Sequence, residues 1–452
     1  MSTPDKPRYV ILGGGVAGLT CADALAHRGH EVTVLEALPE VGGLARNIDV
    51  DGFLFDIGGH RFFTDKPYII EWLETLMGDE LLTVERKSRI LLGGKFHHYP
   101  LKPVNALFGM GLARSFAIIL GYLKTALFER GGRQDNFEEW VVARFGRPLY
   151  DIYFGPYTAK AWGVEPTRIS ADWAAQRIQL LSLTDAVRKA LMNFGPNSPR
   201  TYASRFWYPK RGIGRIPVKL AERVRERGGR ILLQSPAVKL ERENGIYRVT
   251  TSQGETIEAE RIISTIPVPI LCRLLGDEGM NGALEYRCLR CVFLKIDRPR
   301  VTDDTWVYIP ERDVIFGRIH EPKNWSSQMV PDGRTSLCLE IFCGEGDEIW
   351  DLPGEELYRR CALDLERLGF IKADEVVDGS DLKVKNAYPV FLVGYRDVLD
   401  ATFRRLSEYD GIHLVGRTGA FTYTNMDQVI HDALTLVGRL IAEPVDGPVD
   451  GP

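Results

Sequence analysis

The chain has 452 residues, 44% apolar and 26% charged, with a net charge of −4. That length supports about two or three compact lobes, each with its own core. No stretch concentrates Lys and Arg without acids nearby, which argues against a nucleic-acid partner.

The opening "MSTPDKPRYVILGGG" has too short an apolar run for a secretory signal. The seven Cys are odd in number and form no disulfide framework, so a reducing cytoplasm is the expected setting. "RYVIL" reads as a buried strand, "VAGLTCADALAHRG" as a helix closed by Gly29, and "EVTVLE" as a second strand. Between the first strand and the helix lies Gly13-x-Gly15-x-x-Gly18. Gly13 permits the tight turn, Gly15 the approach of a pyrophosphate, and Gly18 close packing of helix on strand. Val16 and Ala17 open the helix, whose free N–H groups and dipole would face the phosphates. Glu36 ends the second strand, where an acid holds a ribose 2′-hydroxyl.

Farther on, "LFGMGLARSFAIILGYLKTALFER" (residues 107–130) is strongly apolar. Arg114 and Lys124 would be costly in mid-bilayer. The segment reads as a buried helix or the interface helix of a homo-oligomer; the sharper alternative is a monotopic membrane contact. Residues 100–200 read as mostly helical and rich in aromatics. Short strands and tight turns follow from Arg230, then the strands "CVFLKI", "WVYI" and "SLCLEIF" and the amphipathic helix "GEELYRRCALDLERLGF". Cys288 and Cys291 form a lone C-x-x-C with no further ligands at metal-site spacing, so no metal is expected. The chain ends in strand, loop and helix, then the Pro/Gly tail "EPVDGPVDGP", which reads as disordered. The expected division is a discontinuous nucleotide-binding domain (1–100, 201–270 and 408–443), a helical lobe (101–200), a substrate-side sheet domain (271–407) and the tail (444–452).

After Glu36 comes "ALPEVGGLARNID", with Gly42, Gly43, Leu44 and Arg46. It resembles the second diglycine motif of FAD enzymes in the amine-oxidase and protoporphyrinogen-oxidase superfamily, which implies that these residues lie along the FAD pyrophosphate. "SPAVKLE" resembles the strand whose valine meets the adenine, with Val238 or Ala237 in that place. "LVGRTGAFTYTNMDQVIHDAL" resembles the closing FAD motif and implies a flavin-end role for Gly416, Arg417, Asn425, Met426 and Asp427. The implied fold is α/β: a Rossmann-like FAD-binding domain of the glutathione reductase type, an inserted helical lobe and a second mixed β-sheet domain.

Other blocks resemble the UDP-galactopyranose mutases. "DIGGHRFF" resembles their Gly-Gly-His loop and implies that Gly58, Gly59 and His60 sit beside the isoalloxazine. "PYTAKAWGVEPTRISADWAAQRI" carries Tyr157, Trp162, Trp173 and Arg177; "TWVYIPERDVIFGRIHEP" carries Tyr308 and Arg318. "HHYPLKP" and "NAYPV" follow suit, the latter with Tyr388, and the closing loop carries Tyr423. The resemblance implies that the two arginines bind a nucleotide-sugar diphosphate and that the tyrosines assist. It further implies a non-redox reaction in which N5 of reduced FAD attacks the anomeric carbon and a pyranose becomes a furanose, with NAD(P)H a candidate reductant. The alternative is an FAD-dependent oxidoreductase acting on another small molecule.

Residue chemistry fits the first reading. A diphosphate leaving water needs partners, and arginines are bidentate and always charged. Ser170 is the expected N-cap of a helix that carries Trp173 and Arg177 on one face. The purely structural alternatives are an ion pair of Arg318 with Glu311 or Glu321, a similar pair for Arg177, and a backbone hydrogen bond for His60. His97 and His98 carry no assignment.

Overall fold

The computed structural model describes residues 6–92, 94–99, 116, 118, 120–125, 134–178, 204–277 and 284–441, with only the backbone at Gln176 and Arg177. A five-stranded parallel sheet lies at one end. Its spatial order is Ile412–Leu414, Arg261–Ser264, Tyr9–Leu12, Val32–Leu35 and Arg230–Leu232. Tyr9–Leu12 sits at the centre, and all four of its residues are buried. Such a strand has no solvent face, hence the unbroken apolar run "YVIL".

The helix Val16–His27 follows the glycine turn, and every residue from Val16 to Ala26 is buried. Its small residues, among them Ala17, Gly18, Ala22 and Ala26, let it pack between the sheet and the helices Arg215–Glu226 and Met426–Leu440. The parallel register Tyr9↔Val32 and Tyr9↔Arg261 shows the interrupted sheet being completed by distant chain segments. Beside it, Ala237–Glu243, Ile246–Thr251 and Thr256–Ala259 form a three-stranded antiparallel sheet.

The second large sheet has seven strands, in the order Val376–Pro389, Tyr286–Ile296, Thr335–Cys343, Arg318–His320, Trp306–Tyr308, Ser88–Leu92 and Lys95–His98. All neighbours are antiparallel except Trp306–Tyr308 with Ser88–Leu92. The hairpin 88–98 therefore belongs to this sheet, whereas the division drawn from sequence leaves it with residues 1–100. Leu91 shares a core with Val307, Ile319 and Leu339, which ties the hairpin to the second sheet. Cys288 and Cys291, three apart on one strand, point to opposite faces and are buried.

A helical layer packs on the second large sheet, where Gly155–Trp162 meets Thr335–Cys343. Phe137–Phe145, Gly155–Trp162 and Ala171–Arg177 pack around Trp140, Phe145, Trp162 and Ile169. Asn136 caps the first by accepting from the Glu139 N–H at 3.0 Å, and Ser170 caps the third by accepting from Asp172 N–H at 3.2 Å. Most of residues 107–130 and the tail 444–452 lie outside the described residues, and with them the readings made for both. Among the described residues no helix is long and apolar enough to cross a membrane.

Candidate active site

At the C-terminal end of the central strand of the parallel sheet two glycine loops stack on each other. Gly42 (φ +117°) donates its N–H to Gly14 O at 2.8 Å, and Gly15 bridges to Gly42. A Cβ at Gly18 would lie 2.1 Å from Gly13 O, and one at Gly13 2.4 Å from Thr265 Oγ1. At Gly15 a Cβ would meet only Gly42 O, at 4.0 Å. Gly13 and Gly18 are thus fixed by the protein's own packing, whereas Gly15 faces open space at the N-terminus of the Val16–His27 helix. Glu36 is buried, its carboxylate accepting from Gly14 N–H at 2.7 Å and Leu38 N–H at 2.9 Å. Arg46 donates to Gly43 O at 2.9 Å and pairs with Glu40 at 3.2 Å. Leu44 lies in the short turn Gly43–Ala45. Val238 is 54% exposed at an irregularity between Ala237 and Lys239, and Ser235 N–H ties the approach to this strand to Glu36 O at 2.8 Å. An open glycine cradle, a helix N-terminus and an acid fixed by backbone fit a dinucleotide.

The Gly58–Gly59–His60 loop lies farther along. A Cβ at Gly58 would sit 2.9 Å from the Glu340 carboxyl carbon, and Gly59 N–H donates to Glu340 Oε1 at 2.9 Å. Burial pushes the His60 pKa down to about 4, with the Arg417 and Arg318 charges adding and Glu340 opposing. His60 is therefore neutral at physiological pH.

A cavity of about 460 Å³ opens at this loop. Its wall holds His60, Tyr157, Trp162, Trp173, Tyr308, Arg318, Tyr388, Arg417, Tyr423, Asn425 and Met426. Tyr388 and Tyr423 stack with centroids 5.5 Å apart and planes 12° apart. Arg417 lies 5.5 and 5.4 Å from these two rings and donates to Thr424 O at 2.8 Å. Trp162 meets Trp173 edge-on at 5.2 Å, and Tyr157 meets Tyr308 edge-on at 5.9 Å. Burial pushes the Tyr157 and Tyr388 pKa values up, so both keep their hydroxyl protons.

Arg318 does form an ion pair, but with neither Glu311 nor Glu321. Its Nε donates to Glu340 Oε1 at 2.6 Å, and a second nitrogen bonds Oε2. The antiparallel register places Arg318 directly opposite Glu340. Glu321 instead accepts from Val301 and Thr302 N–H groups and from Thr335 Oγ1. Burial opposes the Arg318 charge, but Glu340 outweighs it and holds the pKa well above the usual value. Glu340 is completely buried, and the Arg318 charge overcomes the burial effect to hold its pKa low. Lys160 fixes the turn between Tyr308 and Arg318, donating to the carbonyls of Ile309, Glu311 and Phe316 at 2.9, 2.8 and 2.7 Å.

The remaining expected residues sit as follows. Arg177 ends its helix, and its side chain lies outside the described residues; the next residue, Ile178, lines the cavity. Asp427 is buried in the first turn of Met426–Leu440, and a Cβ at Gly416 (φ +86°) would lie 2.9 Å from Ala17 Cβ. His97 and His98 lie on the sheet's edge strand, His97 buried and His98 exposed, and neither lines the cavity. Sequence reasoning missed Glu340, Arg61, Arg86, Tyr153 and Trp306. Trp306 could have been found, because strand alternation puts it on the same face as Tyr308. Among the described residues no cluster could hold a metal ion.

The family model of flavin containing amine oxidoreductases matches residues 16–441. The chain belongs to that family. Within it, the crystal structure of a reduced UDP-galactopyranose mutase shares the fold with a TM-score of 0.85 at 22% identity, over 98% of this chain and 95% of that one. The probable UDP-galactopyranose mutase of Klebsiella pneumoniae is 25% identical over 37% of this chain, a match that spans 44% of the mutase. Protoporphyrinogen oxidase 2 of Arabidopsis thaliana is 22% identical over 90% of this chain and 89% of its own length. The α/β architecture and superfamily expected from the motifs are borne out.

Proposed function

We propose that this flavoprotein is a nucleotide-sugar mutase that interconverts pyranose and furanose ring forms of a UDP-galactose-like substrate. The observation that carries the reading is the convergence of Arg318, Tyr157, Tyr308, Tyr388 and Tyr423 on one cavity that also holds His60 and Arg417. FAD is the proposed cofactor, with Gly15, the Gly42–Gly43 turn and Arg46 along its pyrophosphate, Glu36 on its ribose and the Val238 strand near its adenine. The Gly58–His60 loop and the 416–427 segment take its flavin end.

When bound and reduced, by NAD(P)H or another donor, FAD supplies a nucleophilic ring nitrogen for the anomeric carbon. The chain's own residues do the rest. Arg318, oriented by Glu340, neutralises the departing diphosphate, and the tyrosine hydroxyls donate to its oxygens. Retaining the diphosphate in the cavity makes its return effectively intramolecular. Trp162 and Trp173 wall the site against water. Neutral His60 supports the flavin by hydrogen bonding. Arg177 is the proposed second diphosphate ligand, by its place next to Ile178.

Dithionite-reduced protein incubated with UDP-galactofuranose is expected to yield UDP-galactopyranose by chromatography. Flavin reduction by an amine, with no nucleotide sugar interconverted, would overturn the reading. The rival, an oxidoreductase of porphyrinogen-oxidase or desaturase type, is favoured by the near-full-length similarity to protoporphyrinogen oxidase. An apolar substrate would find a poor host here, because the described cavity wall holds four arginines and no carboxylate.

A further inference from the structure

Lys160 is the one cation of the helix Gly155–Trp162, and it does not line the cavity. Its neighbours Tyr157, Thr158, Ala161 and Trp162 do. The ammonium reaches out of the helix into the turn that joins Trp306–Tyr308 to Arg318–His320. There the carbonyls of Ile309, Glu311 and Phe316 converge on it, so each of its three N–H donors has an acceptor. The base of the turn is closed by the Ile309 N–H, which donates to Gly317 O at 2.9 Å. Its other side is held by the helix Gly354–Arg367. Asp364 accepts from Ile315 N–H at 2.9 Å, and Arg367 donates to Asp313 O at 2.9 Å.

The two holds differ in what they connect. Gly354–Arg367 carries no residue of the described cavity wall, so its bonds shape the turn alone. Lys160 ties the turn to the opposite wall. Three residues before it on the same helix, Tyr157 meets Tyr308 edge-on. Arg318 comes two residues after Phe316, the last carbonyl that Lys160 bonds. The helix is itself fixed to the sheet by Arg287, which donates to Ala161 O at 3.2 Å and to Phe342 O at 3.1 Å.

We infer that Lys160 is a positioning residue for the diphosphate: through three carbonyls it holds Tyr308 and Arg318 in place against Tyr157, and the diphosphate is bound less tightly once the ammonium loses its proton. The inference rests on the nucleotide-sugar reading and adds to it a residue that lies outside the cavity. Burial lowers the Lys160 pKa to about 8, with Glu311, Asp364 and Asp313 opposing. Above that pH the group is an amine with only two N–H donors, so one carbonyl loses its donor. Of the acids that face it, Asp313 and Asp364 both pair with Arg367, and burial raises the Glu311 pKa.

The test is titration of the flavin-loaded, oxidised protein with UDP-galactopyranose from about pH 7 to about pH 9. Wild-type affinity is expected to fall roughly tenfold as pH rises through about 8. Lys160→Met should bind roughly tenfold more weakly at the lower pH and show no further fall. Lys160→Arg keeps its charge throughout, so it should recover part of the affinity and hold it at the upper pH. Glu311→Gln removes a charge that raises the Lys160 pKa, so the fall should persist and move to lower pH. Flavin content and melting temperature at each pH separate unfolding from loss of position. A wild-type affinity that is constant over the range, or a fall that survives in Lys160→Met, overturns the role of Lys160 and leaves the mutase reading standing. No binding by the wild type at any pH overturns both.

Discussion

The glycine cradle and the aromatic-walled cavity are built from different material. The first is backbone: glycine turns, a helix N-terminus and an acid held by main-chain N–H groups, most of it within the first 46 residues. The second is side chain: arginines and aromatics delivered by segments as far apart as Gly59 and Gln428. Where backbone makes the site, a single substitution acts on shape alone. Where side chains make it, a substitution also disturbs the partner that held the lost group in place. The two ends should therefore break in different ways.

The largest effect is expected at Gly15. A Cβ at Gly15 has room in the protein and the backbone (φ −76°, ψ 178°) suits any residue, so in Gly15→Val the fold should survive while the cofactor is shut out. The expected product is soluble, colourless protein with the melting temperature of the wild-type apoprotein. Gly18→Ala should instead drive a methyl into Gly13 O and lower the melting temperature of the apoprotein itself. If Gly15→Val is yellow, the pyrophosphate lies elsewhere.

At the cavity the sharpest break is between Arg318 and Glu340. Arg318→Met alone strands a fully buried carboxylate and should cost about 3–5 kcal/mol in denaturant unfolding. The double variant Arg318→Met/Glu340→Gln should recover most of that, because Gln keeps an acceptor for Gly59 N–H. It should not recover nucleotide-sugar affinity, expected to fall roughly tenfold or more in both. Affinity restored in the double variant would make Arg318 a purely structural residue.

This contrast also explains what could be read from the sequence. Gly13-x-Gly15-x-x-Gly18 and Glu36 are local, so spacing alone announces them, and the Gly42–Gly43 turn is legible by its resemblance to a family motif. The cavity residues became legible only in blocks that resemble a known family, and even there the acid facing Arg318 was sought nearby, at Glu311 or Glu321. It lies 22 residues away because sheet register, not chain proximity, chooses the partner. One signal was present: Glu340 interrupts the apolar strand "SLCLEIF", whose residues are all buried up to Ile341. A charge there requires a buried partner. Arg61 and Arg86 gave no signal, because nothing in either segment says that both reach Trp306.

The two ends should also answer pH with opposite sign. Burial lowers the His320 pKa to about 4, as it does for His60, while the unfolded residues titrate near 6.5. The unfolded chain therefore binds more protons between those values, and stability falls as pH drops from about 6.5 to about 4. For buried His320 the loss should reach about 3 kcal/mol, and His320→Asn should flatten the slope. Asp56, bonded to Asn47 just after Arg46, works the other way. Burial raises its pKa to about 7, against hydrogen bonds from Tyr208, Asn47 and Ile213, so its contribution is lost as pH rises from about 3.8 to about 7. Asp56→Asn should steepen the acid-side fall that His320→Asn flattens. Unfolding curves of the two variants across that range that shift in the same direction would contradict the assignment.

The smallest expected effect tests whether a residue outside the cavity can be felt inside it. Ser170 accepts from Asp172 N–H and caps a helix of only seven residues, Ala171–Arg177. So short a helix has little hydrogen bonding of its own to hold it. Its cap and the packing of Trp173 on Phe137 and Trp162 therefore decide whether the final turn forms. Ser170→Ala should cost about 1 kcal/mol of global stability. Its effect on binding should be out of proportion, because the turn that frays carries Trp173 towards the cavity and Arg177 beside Ile178. At the glycine cradle nothing comparable is expected: the Val16–His27 helix has no side-chain cap at all and is held by burial along its length. Nucleotide-sugar affinity measured for Ser170→Ala should drop several-fold while flavin content stays at the wild-type level. Unchanged affinity would mean that packing alone holds Trp173, and that the cavity, like the glycine cradle, is rigid without its caps.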